Sequence, residues 1–235
     1  MTSAVRPVWS EADAIVVRPI KSQDAAPWLL DKHYARRLCP VSYAFGAFSG
    51  GQLIGVATYG TPASAPLRSG ICGAEYADAV LELNRLCCDP VPNIPSILIG
   101  RSLRMLPRPA IVVSYADTGQ NHIGYVYQAT NFIYTGLSEK RTDWKIKGME
   151  HLHGATVADM SRGQLNRAEF MRDKYGDDFY LKERDRKHRY IYFCGSKTQK
   201  RRMKSVLKYQ QQSYPKGNSQ RYDAGGSVPT QGVMF

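Results

Sequence analysis

Nowhere in this 235-residue sequence does an apolar run approach the ~20 residues that a membrane-spanning helix needs. The first residues hold no basic segment followed by an apolar stretch, so no secretory signal is expected. No internal repeat is visible, which excludes solenoids and propellers. Cysteine is scarce, and Cys39, Cys72, Cys87, Cys88 and Cys194 are an odd number without framework spacing. That argues against a disulfide scaffold and for reduced thiols in a cytoplasm. No His, Cys and carboxylate set has the spacing of a dedicated metal motif. His151 and His153 would share one side of an extended strand, but a loop holds them equally well. What is left is a chain long enough for one good-sized domain with appendages.

The sequence has positive charge in excess, with a formal net of +12. Residues 1–100 carry 8 basic and 8 acidic side chains, which cancel. Residues 182–208 carry 11 basic and 2 acidic ones, a net of +9. A block of this kind commonly pairs with a polyanion, and nucleic acid is the first candidate. A solvated tail is the plainer alternative.

Hydrophobic patterning predicts strands over 15–20, 43–48, 53–59, 80–88, 110–115 and 132–134. It predicts helices over 22–37, 96–106 and 122–131. Ser22 can cap the first helix, and Ser49-Gly50-Gly51 can turn a hairpin. Residues 61–70 read as a Pro/Ser/Gly loop, and Pro107 and Pro109 stop the helix before them. This order gives a mixed α/β core over 1–137. Residues 138–181 are polar with one helix near 164–175. A strand over 187–194 and a helix over 197–209, capped by Ser196, follow. Residues 138–209 are thus expected to pack on the core as a basic C-terminal extension, and 210–235 to be a flexible tail.

The stretch from Val113 to Gly136 carries the most chemistry. An apolar strand ends in Ser114 and Asp117, a polar turn follows, and a helix then presents Tyr127 ahead of Phe132. A phenol on a helix docked beside a strand suits acyl transfer, with the Phe as anchor. Asp117, just past a strand end, is a candidate base; a turn-capping Asp fits the position equally well. Ser114 can hydrogen-bond a co-substrate amide or simply the backbone. Glu82 and Asn84 alternate on one face of the 80–88 strand and can line the same cleft.

Two segments resemble the GNAT acyltransferases: Leu83-Asn84-Arg85-Leu86-Cys87-Cys88-Asp89-Pro90, like that family's central strand, and Tyr127-Gln128-Ala129-Thr130-Asn131-Phe132, like its Tyr-x-x-x-Gly-Phe pattern with Asn131 for Gly. The resemblance implies a GNAT-like mixed central sheet flanked by helices, with Tyr127 as general acid toward a departing thiolate. It fails where that family grips coenzyme A with a glycine-rich loop. The corresponding residues are Asn93-Ile94-Pro95-Ser96-Ile97-Leu98-Ile99-Gly100-Arg101. Asn93, Ser96 and Arg101 still offer a helix N-terminus and a cation to an anionic donor.

A narrower likeness rests on His33-Tyr34, Asn84-Arg85-Leu86, Asn93-x-x-Ser96, Ser114-Tyr115-Ala116-Asp117, His122-x-Gly124 and Tyr127-Gln128-Ala129-x-Asn131-Phe132. Together these resemble the Mom family of phage DNA-modification proteins. That resemblance implies an enzyme in the cytoplasm of a bacterial host. It would add a carbamoylmethyl (acetamido) group to N6 of adenine in double-stranded DNA and shield that DNA from restriction. It also implies iron as a conceivable metal, with His33 as a ligand. The donor is open: acetyl-CoA lacks the nitrogen of the adduct, whereas a glycyl group from glycyl-tRNA carries the same atoms in isomeric order. Lys197, Lys200, Arg201, Arg202, Lys204 and Lys208 are the expected phosphate contacts. Extrusion of the adenine is expected too, with Tyr59, Tyr115 or Tyr134 stacking on it. The alternatives are a conventional N-acetyltransferase and a non-catalytic DNA-binding protein on the same scaffold.

Overall fold

The structure, a computed structural model, describes residues 15–33, 36–152 and 154–217. In chain order its elements are β1 (Val16–Pro19), α1 (Ser22–Pro27), β2 (Tyr43–Ser49), β3 (Gln52–Gly60), α2 (Ala65–Cys72), β4 (Val80–Cys88), α3 (Ile94–Met105), β5 (Ala110–Asp117), α4 (Tyr125–Ala129), β6 (Ile133–Leu137), β7 (Arg141–Ile146), α5 (Gly154–Asp159), α6 (Arg167–Tyr175), β8 (Phe179–Arg184), β9 (Lys187–Cys194) and α7 (Lys197–Ser205). Seven strands form one sheet in the order β1-β2-β3-β4-β5-β9-β6. The first four strands run antiparallel to their neighbours, and β4 and β5 are parallel. This is a mixed α/β domain with helices on both faces.

Burial explains the layering. Leu81, Leu83 and Val112 point to one face and pack with Leu98, Ile99 and Leu103 of α3 and Val126 and Tyr127 of α4. Val80, Ile111, Val113 and Ile191 point to the other, against Ile71 and Cys72 of α2 and Met203 of α7. Beside them Ala25, Trp28 and Leu29 cover Val56 and Cys87. Each fully buried Leu or Ile here contributes about 1.5–3 kcal/mol. All five cysteines are free thiols.

The chain divides into two units. Described residues up to Gly136 and from His188 make the first, and Leu137–Lys187 the second. The extension expected over 138–209 is therefore partitioned differently. Tyr190, Ile191 and Phe193 are too buried for an appended strand, and β9 lies between β5 and β6 within the main sheet. The second unit pairs β7 with β8 around a small core of Ile146, Val157 and Met171. Its strands are missed in the sequence because Arg141-Thr142-Asp143 and Lys182-Glu183-Arg184 mask the alternation.

Three further differences have local causes. The helix predicted over 22–37 is α1, which widens into a π-turn over Trp28–Lys32 and stops at His33. Pro27 has no N–H to offer the ladder of α1, and in the π-turn that follows His33 N–H reaches back five residues to Trp28 O at 3.0 Å. The predicted 61–70 loop contains α2: Ser64 accepts from Leu67 N–H at 3.3 Å, and a proline sits in the first turn, where its missing N–H costs nothing. Residues 210–217 of the expected tail are docked. Gln212 N–H donates to Tyr134 O at 2.9 Å and Tyr214 OH to Phe132 O at 2.7 Å, while the Arg189 guanidinium lies 3.5 Å over the Tyr209 ring. The edge strand β6 has carbonyls to offer, and this segment takes them. The remainder of that predicted tail, 218–235, lies outside the described residues.

Candidate active site

A fork and a bulge shape the middle of the sheet. β4 and β5 share three register pairs, the last being Glu82↔Val113, and then part. Ser114 follows that last pair. It is fully buried, and its hydroxyl donates to Leu83 O at 3.0 Å. A side chain thus replaces the next ladder bond and pins the apex of the fork. On the other side, β3 meets β4 with Thr58↔Arg85 and Tyr59↔Leu83, so Asn84 is an extra residue. The bulge reverses the side-chain parity. Leu81 and Leu83 share a core with Leu86 and Cys88, not with Arg85 and Cys87. Glu82 and Arg85 consequently reach the same face, although three residues apart in a strand.

That face holds a polar cluster. Thr58 Oγ1 donates to Asn84 Oδ1 at 2.7 Å, and Asn84 Nδ2 donates to Pro40 O at 2.8 Å. The Pro40 carbonyl sits where a side chain on residue 60 would be, which requires Gly60. Arg85 Nη1 donates to Asn84 O at 2.7 Å. Its Nε is buried and has no hydrogen-bond partner among the described residues. His33 is buried beside this guanidinium. Burial first, and the charge of Arg85 second, hold its imidazole down to about 3, so it is neutral at pH 7. A neutral imidazole and a guanidinium with an unmet N–H form a site for an acceptor oxygen or an anion.

The lowered His33 value predicts acid lability. The unfolded chain binds a proton on His33 near pH 6.5, and the folded one only near pH 3. This contribution to stability is full above the unfolded value and is lost as pH falls from 6.5 toward 3. The unfolding free energy from denaturant titrations should decline over that window by roughly a few kcal/mol in total, and His33→Asn should flatten the decline; parallel curves for the two proteins would refute it.

Iron does not fit this site. Among the described residues no group of three or more His, Cys, Asp or Glu side chains can hold a metal ion, and the guanidinium beside His33 repels a cation. Tyr34 and His153 lie outside the described residues.

The opposite face carries Tyr127. It is buried on α4, with its ring 5.4 Å from Phe132 and 5.2 Å from Tyr190. Asn131, in place of the Gly of the resembling pattern, stands at φ 61°, left-handed, a conformation that Asn tolerates. Phe132 N–H then returns to Tyr127 O at 3.0 Å, which places the anchor. Gly124, at φ 79°, lets the Tyr190 ring lie against the start of α4. Tyr59 is fully buried and shares a 2.6 Å hydrogen bond with Ser102, so stacking on a base is excluded for it. Tyr134 is likewise buried, 2.8 Å from His188 Nδ1 through its hydroxyl.

The expected donor-binding residues are dispersed. α3 starts at Ile94, not at Ser96, and its N-cap is Asn93 in a left-handed conformation with φ 65°. Ser96 is inside the first turn, its hydroxyl donating to Asn93 O at 2.9 Å. Pro95 and the hydrophobic Ile94 draw the helix start two residues earlier. Arg101 is exposed and bonded to the Ile15 carbonyl, which ties α3 to the edge of β1. Asp117 accepts from Gly119 N–H at 3.0 Å, capping the turn after β5. It also faces His122, whose imidazole burial lowers and Asp117 partly restores. By alternation along β5, Asp117 belongs to the face of Glu82 and Arg85, and Ser114 to that of Tyr127.

The six basic residues fall on α7 and just after it, and all are exposed. A capping box of Ser196 and Gln199 begins the helix, and Met203 anchors it. Lys208 is partly spent on Ser69 O at 3.3 Å, and Arg202 faces a cavity of about 300 Å³ shared with Glu75 and Tyr76. Lys197, Lys200, Arg201 and Lys204 remain the outward set. Sequence reasoning quoted Arg85 but gave it no role. The signal available was a lone arginine inside an apolar strand run.

β4 and β5 part as a parallel pair beside the antiparallel pairs β1–β2, β2–β3 and β3–β4, the central strand is bulged, and an anchored helix follows the fork, which together make a mixed α/β scaffold. A ribosomal-protein-S5-alanine acetyltransferase of Vibrio fischeri is similar in fold, with 10% identity, a TM-score of 0.43, and coverage of 80% of this chain and 98% of that one. A Salmonella typhimurium acetyltransferase solved with its cofactor acetyl-CoA gives 9% identity and a TM-score of 0.43 over 78% and 96% of the two chains. The sequence profile of the Mom protein family matches residues 14–216, and the chain belongs to that family. It is 31% identical over 192 residues to the methylcarbamoylase Mom of Escherichia phage Mu, covering 79% of this chain and 77% of that protein.

Proposed function

We propose that this chain modifies DNA, transferring a carbamoylmethyl (acetamido) group, or its glycyl isomer, to N6 of adenine in the duplex. The reading places it in the cytoplasm of a phage-infected host, where the modification blocks restriction. The observation that carries it is the 31% identity to the phage Mu methylcarbamoylase across most of both chains. The adenine amino group is a poor nucleophile, so its proton must be accepted as the new bond forms. Asp117 is the candidate acceptor, on the side of the fork with Arg85 and Glu82. Arg85 and neutral His33 would stabilise charge developing on the attacked group. Tyr127, from the other side, would return a proton to the leaving group. Ser114 and Asn84 hold the fork and the bulge in shape, and Asn93, Ser96 and Arg101 set the position of α3.

The donor whose atoms balance is an activated glycyl ester such as glycyl-tRNA: N6 attacks its carbonyl, the ester oxygen leaves with the proton, and the product is the glycyl amide isomeric with carbamoylmethyl adenine, whereas acetyl-CoA would leave only an acetyl group. Expression of the chain in bacteria, followed by mass analysis of DNA nucleosides, tests the reaction. An adenine adduct heavier by one carbamoylmethyl group is expected, and an unmodified adenine pool would overturn the proposal in favour of a binding protein. Purified protein supplied with DNA and either acetyl-CoA or glycyl-tRNA then separates the donors.

A further inference from the structure

The cavity beside α7 lies wholly within the first unit. Pro109, just ahead of β5, is on its wall, so it sits at the end of that strand opposite the fork. Its volume of about 300 Å³ is the lower bound for ligand pockets and accommodates one heterocycle. Gln199, Arg202 and Met203, three and four residues apart on α7, share the helix face that lines it. Across from them the 3₁₀ turn Ala74–Ala79 contributes Glu75 and Tyr76. Met203 is buried, and the half-buried Tyr76 packs against the same core. The cavity thus combines apolar surface with a carboxylate, an amide and a guanidinium.

Its polar groups are not committed to the fold. Glu75 and Arg202 line the cavity together, yet among the described residues neither side chain forms an ion pair or a hydrogen bond, with the other or with anything else. Gln199 Oε1 accepts from Ser196 N–H at 2.8 Å in the capping box, so only its amide N–H groups are left to offer. The result is one two-oxygen acceptor, one guanidinium fork and one amide donor, with no net charge between them. A neutral planar ring completes both charged groups if it has two adjacent N–H donors on one side and two adjacent acceptors on the other. Among the nucleic-acid bases guanine has that outline: N1–H and N2–H toward the carboxylate, O6 and N7 toward the fork. Tyr76 and Pro109 offer flat apolar surface to its faces. The other cations of α7 give the phosphate of a nucleotide a positive field.

We infer that this cavity binds a guanine nucleotide, at a site separate from the candidate reaction centre at the fork. It stands whether or not the chain modifies adenine. The guanine belongs either to a free nucleotide or to an unpaired residue of a bound nucleic acid, and two arms of one experiment separate these sources. In equilibrium dialysis the full chain should bind guanosine monophosphate at least about tenfold more tightly than adenosine or cytidine monophosphate. Glu75→Gln and Arg202→Met should each cut that binding about tenfold. Both side chains are exposed, so these variants should melt with the wild type. In the second arm, fluorescence anisotropy compares duplexes with one bulged guanine or one bulged adenine. A preference for the bulged guanine that Glu75→Gln abolishes assigns the site to nucleic acid. A preference confined to the dialysis arm assigns it to the free nucleotide. No preference for guanine in either arm would overturn the inference, as would a preference that both variants leave intact.

Discussion

Arg85→Met is expected to slow adenine modification by about 10²–10³-fold, the loss typical of removing one preorganised donor, as the proposed role of Arg85 requires. The variant should still fold. Arg85 is half-buried, Met fits its aliphatic stem, and the one described bond it loses is that from Nη1 to the Asn84 carbonyl. Such a bond contributes only about 1 kcal/mol. Arg85→Lys should also fail, because an ammonium at the end of the chain has no donor where Nε stands and cannot present the fixed fork of a guanidinium. The fall should lie in kcat rather than in duplex affinity. Activity within about twofold of wild type would make Arg85 a packing residue that braces the bulge. A shift in the pH-rate profile of the surviving activity would then be absent too, since His33 would no longer share a site with the reaction.

Replacing Lys197, Lys200, Arg201 and Lys204 together by Gln is expected to weaken duplex binding by roughly 10²–10³-fold near physiological salt. Each phosphate contact releases counterions, so the slope of log affinity against log salt should flatten by about 3–4. The capping box and Met203 that hold α7 are untouched, and single-turnover modification at saturating DNA should persist. Fluorescence anisotropy over a salt series measures both terms. Unchanged affinity would move the DNA surface off α7. Adding Arg202 and Lys208 should contribute less than two further contacts, because Lys208 is partly committed to Ser69 O and Arg202 shares its cavity with Glu75.

Strand positions were legible where one face is apolar and the period is plain. The sequence places β4 over 80–88 and β9 over 187–194, the bounds found in the structure. Helix ends were less legible, because caps compete: Ser96 has the right chemistry, but Asn93 tolerates the left-handed turn that starts α3 earlier. The charged strands β7 and β8 escaped because salt-bridging residues cover a core of few apolar side chains. Tyr127 and Asp117 could be nominated from the sequence because a turn, a helix and an anchoring Phe are consecutive. Arg85 was not assigned, because its face depends on a neighbour from another strand.

From the sequence alone one could determine a basic α/β protein with a GNAT-like order of elements, Mom-type motifs and a cationic helix near its end. The basic character and the order of elements follow from local periodicity, capping and composition, and the GNAT-like and Mom-type readings from the resemblance of the motifs. Only the tertiary structure decided that β9 lies inside the sheet, that residues 210–217 are docked, that Ser114 pins the fork and that His33 lies near a guanidinium. The physical reason is one of range. Register between strands sets which side chains share a face, and a one-residue bulge at Asn84 changes it without leaving a mark in the periodicity of either strand.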